Sequence, residues 1–169
     1  MKYFLLNVCA LALFQATNAQ SPQWHSLTVS EKEIVQVVIE IFDGMRAGDS
    51  AAVKKHFYPM VSANTAFATK DGEPQLKVDD INNWFNAIAQ PHDQVWDERI
   101  WDYKVDIDGN LAAVWVKYAF YLDQDFHHCG VDAIQLAHDG NNWRVFHIAD
   151  TRQVEGCEIP DHVAAGATY

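Results

Sequence analysis

The sequence is poor in basic residues, and this shortage argues against a whole class of function. Only 12 of the 169 residues are lysine or arginine, against 23 aspartates and glutamates, so the net charge is −11. Nucleic-acid phosphates require a basic surface, which this chain does not offer. Hydrophobic residues make up 49% of the chain and aromatic residues 12%. These fractions exclude a disordered chain and indicate one folded domain.

Long apolar runs are also missing, and the one run near the N-terminus predicts export. Residues 4–14 are apolar apart from one asparagine, which is shorter than the about 20 residues of a membrane-spanning helix. Lys2 precedes this run, and small residues up to Ala19 follow it, as in a secretory signal peptide. We therefore expect residues 1–19 to be cleaved off before Gln20. The mature chain is expected to be secreted or periplasmic, with no membrane span.

Cysteine is scarce, with three residues in the whole chain. Cleavage of the signal peptide would remove Cys9 and leave Cys129 and Cys157. In an oxidising compartment these two thiols can form a disulfide. The bridge would close a loop of about 28 residues and stabilise the fold by about 3 kcal/mol through the unfolded state. Two free or buried thiols are the alternative.

The first half of the mature chain predicts three helices. Residues 20–29 show no periodicity and are expected to form an extended lead-in. Apolar residues at helical spacing follow, and capping and breaking residues mark the helix ends. The expected boundaries are Ser30 and Glu33 as a capping box, Gly48 at the end of the first helix, Asp49 to about Phe57 for the second helix ahead of Pro59, and Asp79 or Asp80 at the start of the third.

After the third helix the apolar period shortens to two, which predicts β-strands. Turn-forming residues separate four such runs, at about residues 95–107, 111–122, 127–137 and 142–152. Their short links make them antiparallel neighbours. Residues 158–169 carry no period and are expected to be a loose tail. The order predicts an α+β fold in which three helices cover one face of an antiparallel sheet.

Both faces of the predicted sheet are apolar, although the helices can cover only one of them. One set of alternating positions includes Val116 and Tyr118, and the opposite set includes Trp115 and Tyr121. A second cover is needed for the outer face, and a second copy of the chain would provide it. We therefore expect a homodimer.

Several segments together resemble the nuclear transport factor 2-like superfamily. They are Arg46-Ala47-Gly48-Asp49, His56-Phe57-Tyr58-Pro59, the strand residues 130–136, Trp143-Arg144-Val145 and Ala149-Asp150-Thr151. The last three are similar to small bacterial members described as SnoaL-like, ketosteroid-isomerase-like or putative lumazine-binding proteins. The resemblance spans about residues 30–152. It implies a cone-shaped domain over residues 30–157, with a curved sheet of four to six strands and a pocket under the helices.

This fold hosts many functions, so the resemblance does not assign an activity. Asp132 matches the aspartate that donates a hydrogen bond to the reacting oxygen in ketosteroid isomerases. The tyrosine donor of those enzymes would fall near Ile41, and their catalytic base near residues 66–68, but neither residue type is present there. Steroid isomerisation by that mechanism is therefore not expected.

Asp132 and His147 are the candidate catalytic residues. If alternation is regular through both strands, the two side chains point under the helices. Pairing Leu136 with Trp143 would place them opposite each other, with Cβ atoms about 5 Å apart. A buried carboxylate–imidazole pair can perform general acid–base chemistry near neutral pH. A purely structural polar pair is the alternative.

Six more side chains are candidates for ligand contacts. Strand parity proposes Tyr118, His128 and Thr151, and the aromatic residues Trp84, Trp101 and Tyr103 are candidate pocket walls, although aromatic side chains more often belong to the core. The run His127-His128-Cys129 does not predict a metal site, because neighbouring strand residues point to opposite faces. No metal or other cofactor is expected, since no metal-binding spacing occurs.

The sequence therefore favours an exported protein that encloses a small, flat, mainly apolar molecule. A cofactor-free isomerase, dehydratase or cyclase that uses Asp132 and His147 is the second hypothesis. The third is a dimeric interaction module with a filled interior. A pocket under the helices would separate the third hypothesis from the first two.

Overall fold

The structure, a computed structural model, describes residues 22–166. Within this range the order of elements is α1 (Pro22–Ser26), α2 (Val29–Arg46), α3 (Ser50–Lys54), β1 (Phe57–Ala68), β2 (Pro74–Asp79), α4 (Ile81–Ile88), β3 (Trp96–Asp108), β4 (Leu111–Leu122), β5 (Asp125–His138), β6 (Trp143–Thr151) and α5 (Asp161–Ala164). The predicted signal peptide, residues 1–19, and the last three residues of the predicted tail lie outside the described residues. No helix in residues 22–166 is long and apolar enough to cross a membrane.

Helix α2 begins two residues earlier than predicted. Thr28 is its N-cap, because the Thr28 hydroxyl accepts a hydrogen bond from the Glu31 N–H (3.3 Å) and the Glu31 carboxylate accepts one from the Thr28 N–H (2.7 Å). Ser30 and Glu33 fit the same pattern, but packing of Leu27 against the core favours the earlier cap. The residues that α2 buries in the core are Ile34, Val35, Val38, Ile39, Ile41, Phe42 and Met45.

The predicted extended lead-in contains the short helix α1 instead. The Gln23 side chain donates a hydrogen bond to the Tyr103 backbone oxygen (2.8 Å) and accepts one from the Tyr103 N–H (3.0 Å). The pairing of β3 with β4 is interrupted between Trp101 and Lys104. Gln23 therefore satisfies backbone groups at this interruption and attaches α1 to the sheet.

The second predicted helix is shorter than expected. Asp49 is its N-cap, as predicted, but α3 ends at Lys54 because Phe57 already begins strand β1. Pro59 lies inside β1 instead of after a helix. The pairing of β1 with β6 is irregular between Phe57 and Ser62, so the missing N–H of Pro59 does not interrupt a regular ladder.

The α+β fold is confirmed, with a six-stranded sheet in the order β2-β1-β6-β5-β4-β3. The four predicted strands are β3 to β6, and their ends differ from the predictions by at most two residues. All neighbours are antiparallel except β1 and β6, which are parallel. Helices α2 and α4 cover one face of the sheet. The buried sheet residues of this core include Ile100, Val114, Val116, Ile134, Leu136 and Val145.

The end of the chain packs on the opposite, outer face of the sheet, so the predicted loose tail is wrong for most of its length. Cys129 and Cys157 are joined by a disulfide. Arg99 is 1% exposed and lies over the ring of Tyr121, at 3.9 Å. Its guanidinium also donates to the backbone oxygen of Ala164 (2.8 Å), at the end of α5.

This segment corrects part of the argument for a homodimer. The cover over Ala119, Tyr121 and Cys129 comes from Cys157 and Ile159 of the same chain, so no second subunit is needed there. The rest of the outer face is not covered in this way. Trp115, which points to that face, is 50% exposed.

Candidate functional site

A cavity of about 300 Å³ lies between the helices and the inner face of the sheet. Its apolar lining comes from both layers: Phe42 of α2, Ile81 and Trp84 of α4, Ala63 of β1 and Ile148 of β6. Its polar lining comes largely from the sheet and includes three acids, Glu98, Asp132 and Asp150, together with Thr65, Tyr118 and His128. The interior of the fold is therefore hollow, and it combines aromatic walls with buried acids.

The predicted Asp132–His147 dyad is wrong, because the two residues lie on opposite faces of the sheet. Asp132 pairs with Asp150, and His147 pairs with Gln135. Gln135 is an odd number of positions from Asp132 along the same strand, so their side chains point in opposite directions. His147 therefore faces outward and does not line the cavity.

A β-bulge in β6 explains this error. Leu136 pairs with Val145, whereas Gln135 pairs with His147, so Phe146 is an extra residue in the strand. Val145 and Ile148 consequently both face the helices, although regular alternation would have separated them. One inserted residue reverses the face of every side chain that follows it.

Asp150 occupies the position opposite Asp132 on β6 that was predicted for His147, and the Glu98 side chain of β3 approaches Asp132 from within the cavity. The carboxyl groups of Glu98 and Asp132 form a side-chain hydrogen bond. Asp132 is 3% exposed, and Glu98 is half-buried in the cavity wall. Two carboxyl groups can be hydrogen-bonded only if one of them carries a proton.

Burial keeps this proton on the pair. Removal from water and the charge of Asp150 raise the pKa of Asp132 to about 8, although the hydrogen bond from Glu98 acts in the opposite direction. Burial and the charge of Asp132 raise the pKa of Glu98 well above its usual range. The pair therefore holds at least one proton at neutral pH.

Three donors hold Asp150 in place next to this pair. The Thr65 hydroxyl donates to Asp150 Oδ1 (2.6 Å), and Arg152 Nε donates to Asp150 Oδ2 (2.6 Å). The Tyr118 hydroxyl lies 3.3 Å from the same Oδ2 and donates a shorter bond to the Thr151 backbone oxygen (2.8 Å). Both oxygens of Asp150 therefore accept hydrogen bonds from donors of the protein, whereas the side chain beside Asp132 is another carboxyl group, that of Glu98.

Gly130 makes room for this arrangement. A Cβ atom at residue 130 would lie 1.9 Å from the Thr151 backbone oxygen and 2.9 Å from Cε1 of Tyr118. Only glycine at residue 130 lets β6 come this close to β5 and lets the Tyr118 ring pack against the backbone there.

His128 lines the cavity as a neutral ring. Its imidazole packs against Phe120, with ring centroids 5.1 Å apart, and its Nδ1 is hydrogen-bonded to Nδ1 of His127 (2.7 Å). Burial, followed by the charge of Arg152, lowers the pKa of His128 to about 4. At neutral pH this side chain offers a flat neutral surface and no positive charge.

The other predicted site residues divide into two groups. Trp84, Tyr118, His128 and Asp132 line the cavity. Trp101 and Thr151 instead line a separate recess of about 150 Å³ next to the disulfide, and Tyr103 is buried in the core. Thr151 lies beyond the β6 bulge and Trp101 directly before the β3 irregularity, which regular alternation does not anticipate.

Sequence reasoning missed Glu98, Asp150 and Thr65 as cavity residues. A usable signal existed for Glu98, since it alternates with Trp96 and the buried Ile100 on one face of β3. In residues 22–166, no three histidine, cysteine, aspartate or glutamate side chains are grouped so that they could hold a metal ion.

The curved sheet, the helical cover and the cavity between them define a member of the nuclear transport factor 2-like superfamily. The sequence matches the family described as "Putative lumazine-binding" over residues 29–147, and the chain belongs to this family. A search of curated proteins finds no significant match.

Solved structures support the same fold. A nuclear transport factor 2-like protein of unknown function from Shewanella baltica OS155 is 16% identical, with a TM-score of 0.55 over 76% of this chain and 99% of that one. The β subunit of a putative aromatic-ring-hydroxylating dioxygenase from Novosphingobium aromaticivorans is 9% identical (TM-score 0.62, covering 80% and 95%). A putative dehydratase from Streptomyces avermitilis is 10% identical (TM-score 0.58, covering 73% and 95%). At these identities the likeness shows the fold alone.

Proposed function

We propose that the protein binds a small, flat, mainly apolar molecule in the cavity between α2, α4 and the sheet. The observation that carries this proposal is the cavity itself, which has aromatic walls and a buried carboxyl pair. Its volume of about 300 Å³ is at the lower end of the range for small-molecule sites. A molecule of one or two rings fits that volume, and the family description names such a ring system.

The lining supports a fixed orientation for such a ring. Phe42 and Trp84 on the helical side provide apolar surface for it, and Asp132 with Glu98 lies on the sheet side. Apolar contact would account for most of the affinity, and the few polar groups would select the orientation. The cavity also argues against an interaction module with a filled interior. His147 faces outward, so it cannot act as a catalytic base on a molecule in the cavity.

Isothermal titration calorimetry with flat two-ring probes tests this function. We expect at least one of lumazine, quinoline and indole to bind saturably to the chain without residues 1–19. Replacement Ala63→Leu should fill part of the cavity and weaken that binding tenfold or more, since about three added heavy atoms would overlap the ligand. Ala63 lines the cavity and is 7% exposed.

Ala66→Leu is the matched control. Ala66 lies on the same strand but is exposed and points to the outer face, so this variant should bind the probe as the unmodified protein does. Binding of none of the three probes, or equal binding by both leucine variants, would contradict the proposed site. Circular dichroism of each variant checks that the fold is retained.

We also propose that the protein is exported and acts as a homodimer. The proposal of export rests on the predicted signal peptide. The Cys129–Cys157 disulfide supports it, because such bonds persist in oxidising compartments. The proposal of a homodimer is supported by a row of paired residues on the outer face, where a second copy of the chain could provide the cover. The row crosses five strands and contains Trp115, Ala133, Ala149, Asn64 and Val78.

Native mass spectrometry of the protein from outside the cytoplasm of its host tests both statements. We expect a subunit mass that begins at Gln20 and an assembly of twice that mass. Trp115→Glu should shift the assembly to monomer, because a charge would be buried in the apolar contact. A retained N-terminal segment would contradict export, and a monomeric unmodified protein would contradict the dimer.

A further inference from the structure

The Asp132 carboxyl group has hydrogen-bonding capacity that the protein does not use. Asp132 is 3% exposed and lines the cavity. Its Oδ2 atom is buried and has no hydrogen-bond partner within residues 22–166, and Glu98 is the neighbouring carboxyl group. A carboxyl group has two oxygens and accepts several hydrogen bonds. Leaving one oxygen of a buried carboxyl group without a donor costs free energy.

Four donors of the cavity lining are engaged with other groups. The Tyr118 hydroxyl donates to the Thr151 backbone oxygen, and the Thr65 hydroxyl donates to Asp150. The two basic groups of the lining are also paired with acids, Arg152 with Asp150 (2.6 Å) and Lys77 with Asp79 (2.8 Å). None of these four donors is free to bond to Oδ2 of Asp132, so a bound ligand can supply the missing donor.

We propose that the ligand presents an N–H group, of the amide, imide or ring-amine type, to the free oxygen of Asp132. This inference rests on the proposed binding function and names the chemical class of the ligand. Oδ2 of Asp132 is the oxygen without a partner, so it is available as an acceptor.

A pair of probes that differ only at nitrogen tests the proposal. Lumazine carries N–H groups at its pyrimidine ring, and 1,3-dimethyllumazine carries methyl groups in their place. Calorimetry at pH 6.5 should show that the unmodified protein binds lumazine tenfold to one-hundredfold more tightly than 1,3-dimethyllumazine. This is the range expected for loss of a hydrogen bond to a buried acceptor.

Two variants assign this preference to Asp132. Asp132→Ala removes the acceptor. Asp132→Asn keeps the shape of the side chain; when Glu98 donates a hydrogen bond to the amide oxygen, the amide NH₂ points towards the ligand in place of an acceptor. In both variants the preference should fall below about threefold, which is the part due to the size of the methyl groups. Asp106→Asn, an exposed aspartate on β3, should retain the full preference.

The outcomes separate this inference from the function on which it rests. If the unmodified protein binds both lumazines equally, the N–H proposal is overturned, and the binding function stands. If both Asp132 variants keep the preference for lumazine, a different group accepts the hydrogen bond from the ligand N–H, and the assignment to Asp132 is overturned. If neither lumazine binds while quinoline, which has no N–H group, does, the N–H proposal fails alone. If indole binds in place of lumazine, 1-methylindole replaces 1,3-dimethyllumazine in the comparison, and equal binding of the two indoles overturns the N–H proposal. If no probe binds, both proposals fail.

Discussion

Replacement of Asp132 by asparagine is expected to stabilise the protein above neutral pH. The pKa of Asp132 is about 8 in the folded protein, against about 3.9 for an unperturbed aspartate. A group with a raised folded-state pKa contributes stability that is complete at low pH and is lost as the pH rises through the folded value. The free energy of unfolding should fall by up to about 1.4 kcal/mol per pH unit between about pH 4 and pH 8.

Asparagine does not titrate and can keep the hydrogen bond with Glu98. Asp132→Asn should therefore be more stable than the unmodified protein at pH 8, by roughly 3–5 kcal/mol from the pKa shift. Urea unfolding at intervals from pH 5 to pH 8.5 measures this difference, and the curve of the variant should be flatter. Asp106→Asn, at an exposed site, should follow the unmodified protein. Parallel curves for Asp132→Asn and the unmodified protein would contradict a buried, protonated pair.

A pair that reduces stability at neutral pH needs an explanation outside folding. Asp132 is buried beside the half-buried Glu98 and close to Asp150, an arrangement that raises the pKa of both. Strongly shifted carboxyl groups of this kind are concentrated at functional sites. The free energy of unfolding that Asp132→Asn gains at pH 8 is then the stability that the protein gives up to keep a binding group in the cavity.

Gly130→Ala is expected to have the largest effect on stability of any single methyl addition considered. The new Cβ atom would lie 1.9 Å from the Thr151 backbone oxygen, and a backbone atom within a sheet cannot move aside cheaply. The backbone N–H of Val131 also donates to the Thr151 hydroxyl (3.1 Å), so separating the strands would disturb that bond as well. We expect a loss of about 4 kcal/mol or more, or failure to fold.

Urea or thermal unfolding of Gly130→Ala measures this loss. Gln135→Ala is the control, because Gln135 is exposed on the same strand and should change the unfolding free energy by less than about 0.5 kcal/mol. A loss below about 1 kcal/mol for Gly130→Ala would show that β5 and β6 are not in close contact at Thr151.

Regular periodicity made much of the fold predictable. Strands β3 to β6 alternate over nine or more residues with turn residues between them, and their ends follow from that pattern. The start of strand β1 was predicted to be the end of a helix, because a proline at residue 59 so soon after a helical segment is typical of a helix end. Its parallel pairing with β6 joins residues far apart in the chain, which local patterns do not reveal.

The site was less predictable than the fold, since it depends on where alternation fails. Strand β6 has apolar residues of both parities, including Val145, Phe146 and Ile148, so its sequence does not show which residue is the bulge. This one residue moved His147 out of the site. Asp132 and Tyr118 lie on strands that alternate regularly around them, and their inward direction was predicted from the same rule.

Carbon-13 NMR of the side-chain carboxyl groups during addition of lumazine shows whether a ligand lies against Asp132 and Glu98. We expect the signals of Asp132 and Glu98 to shift saturably as the cavity fills, while that of the exposed Asp106 stays unchanged. Saturable binding that leaves both cavity signals in place would contradict the claim that the ligand sits against this carboxyl pair.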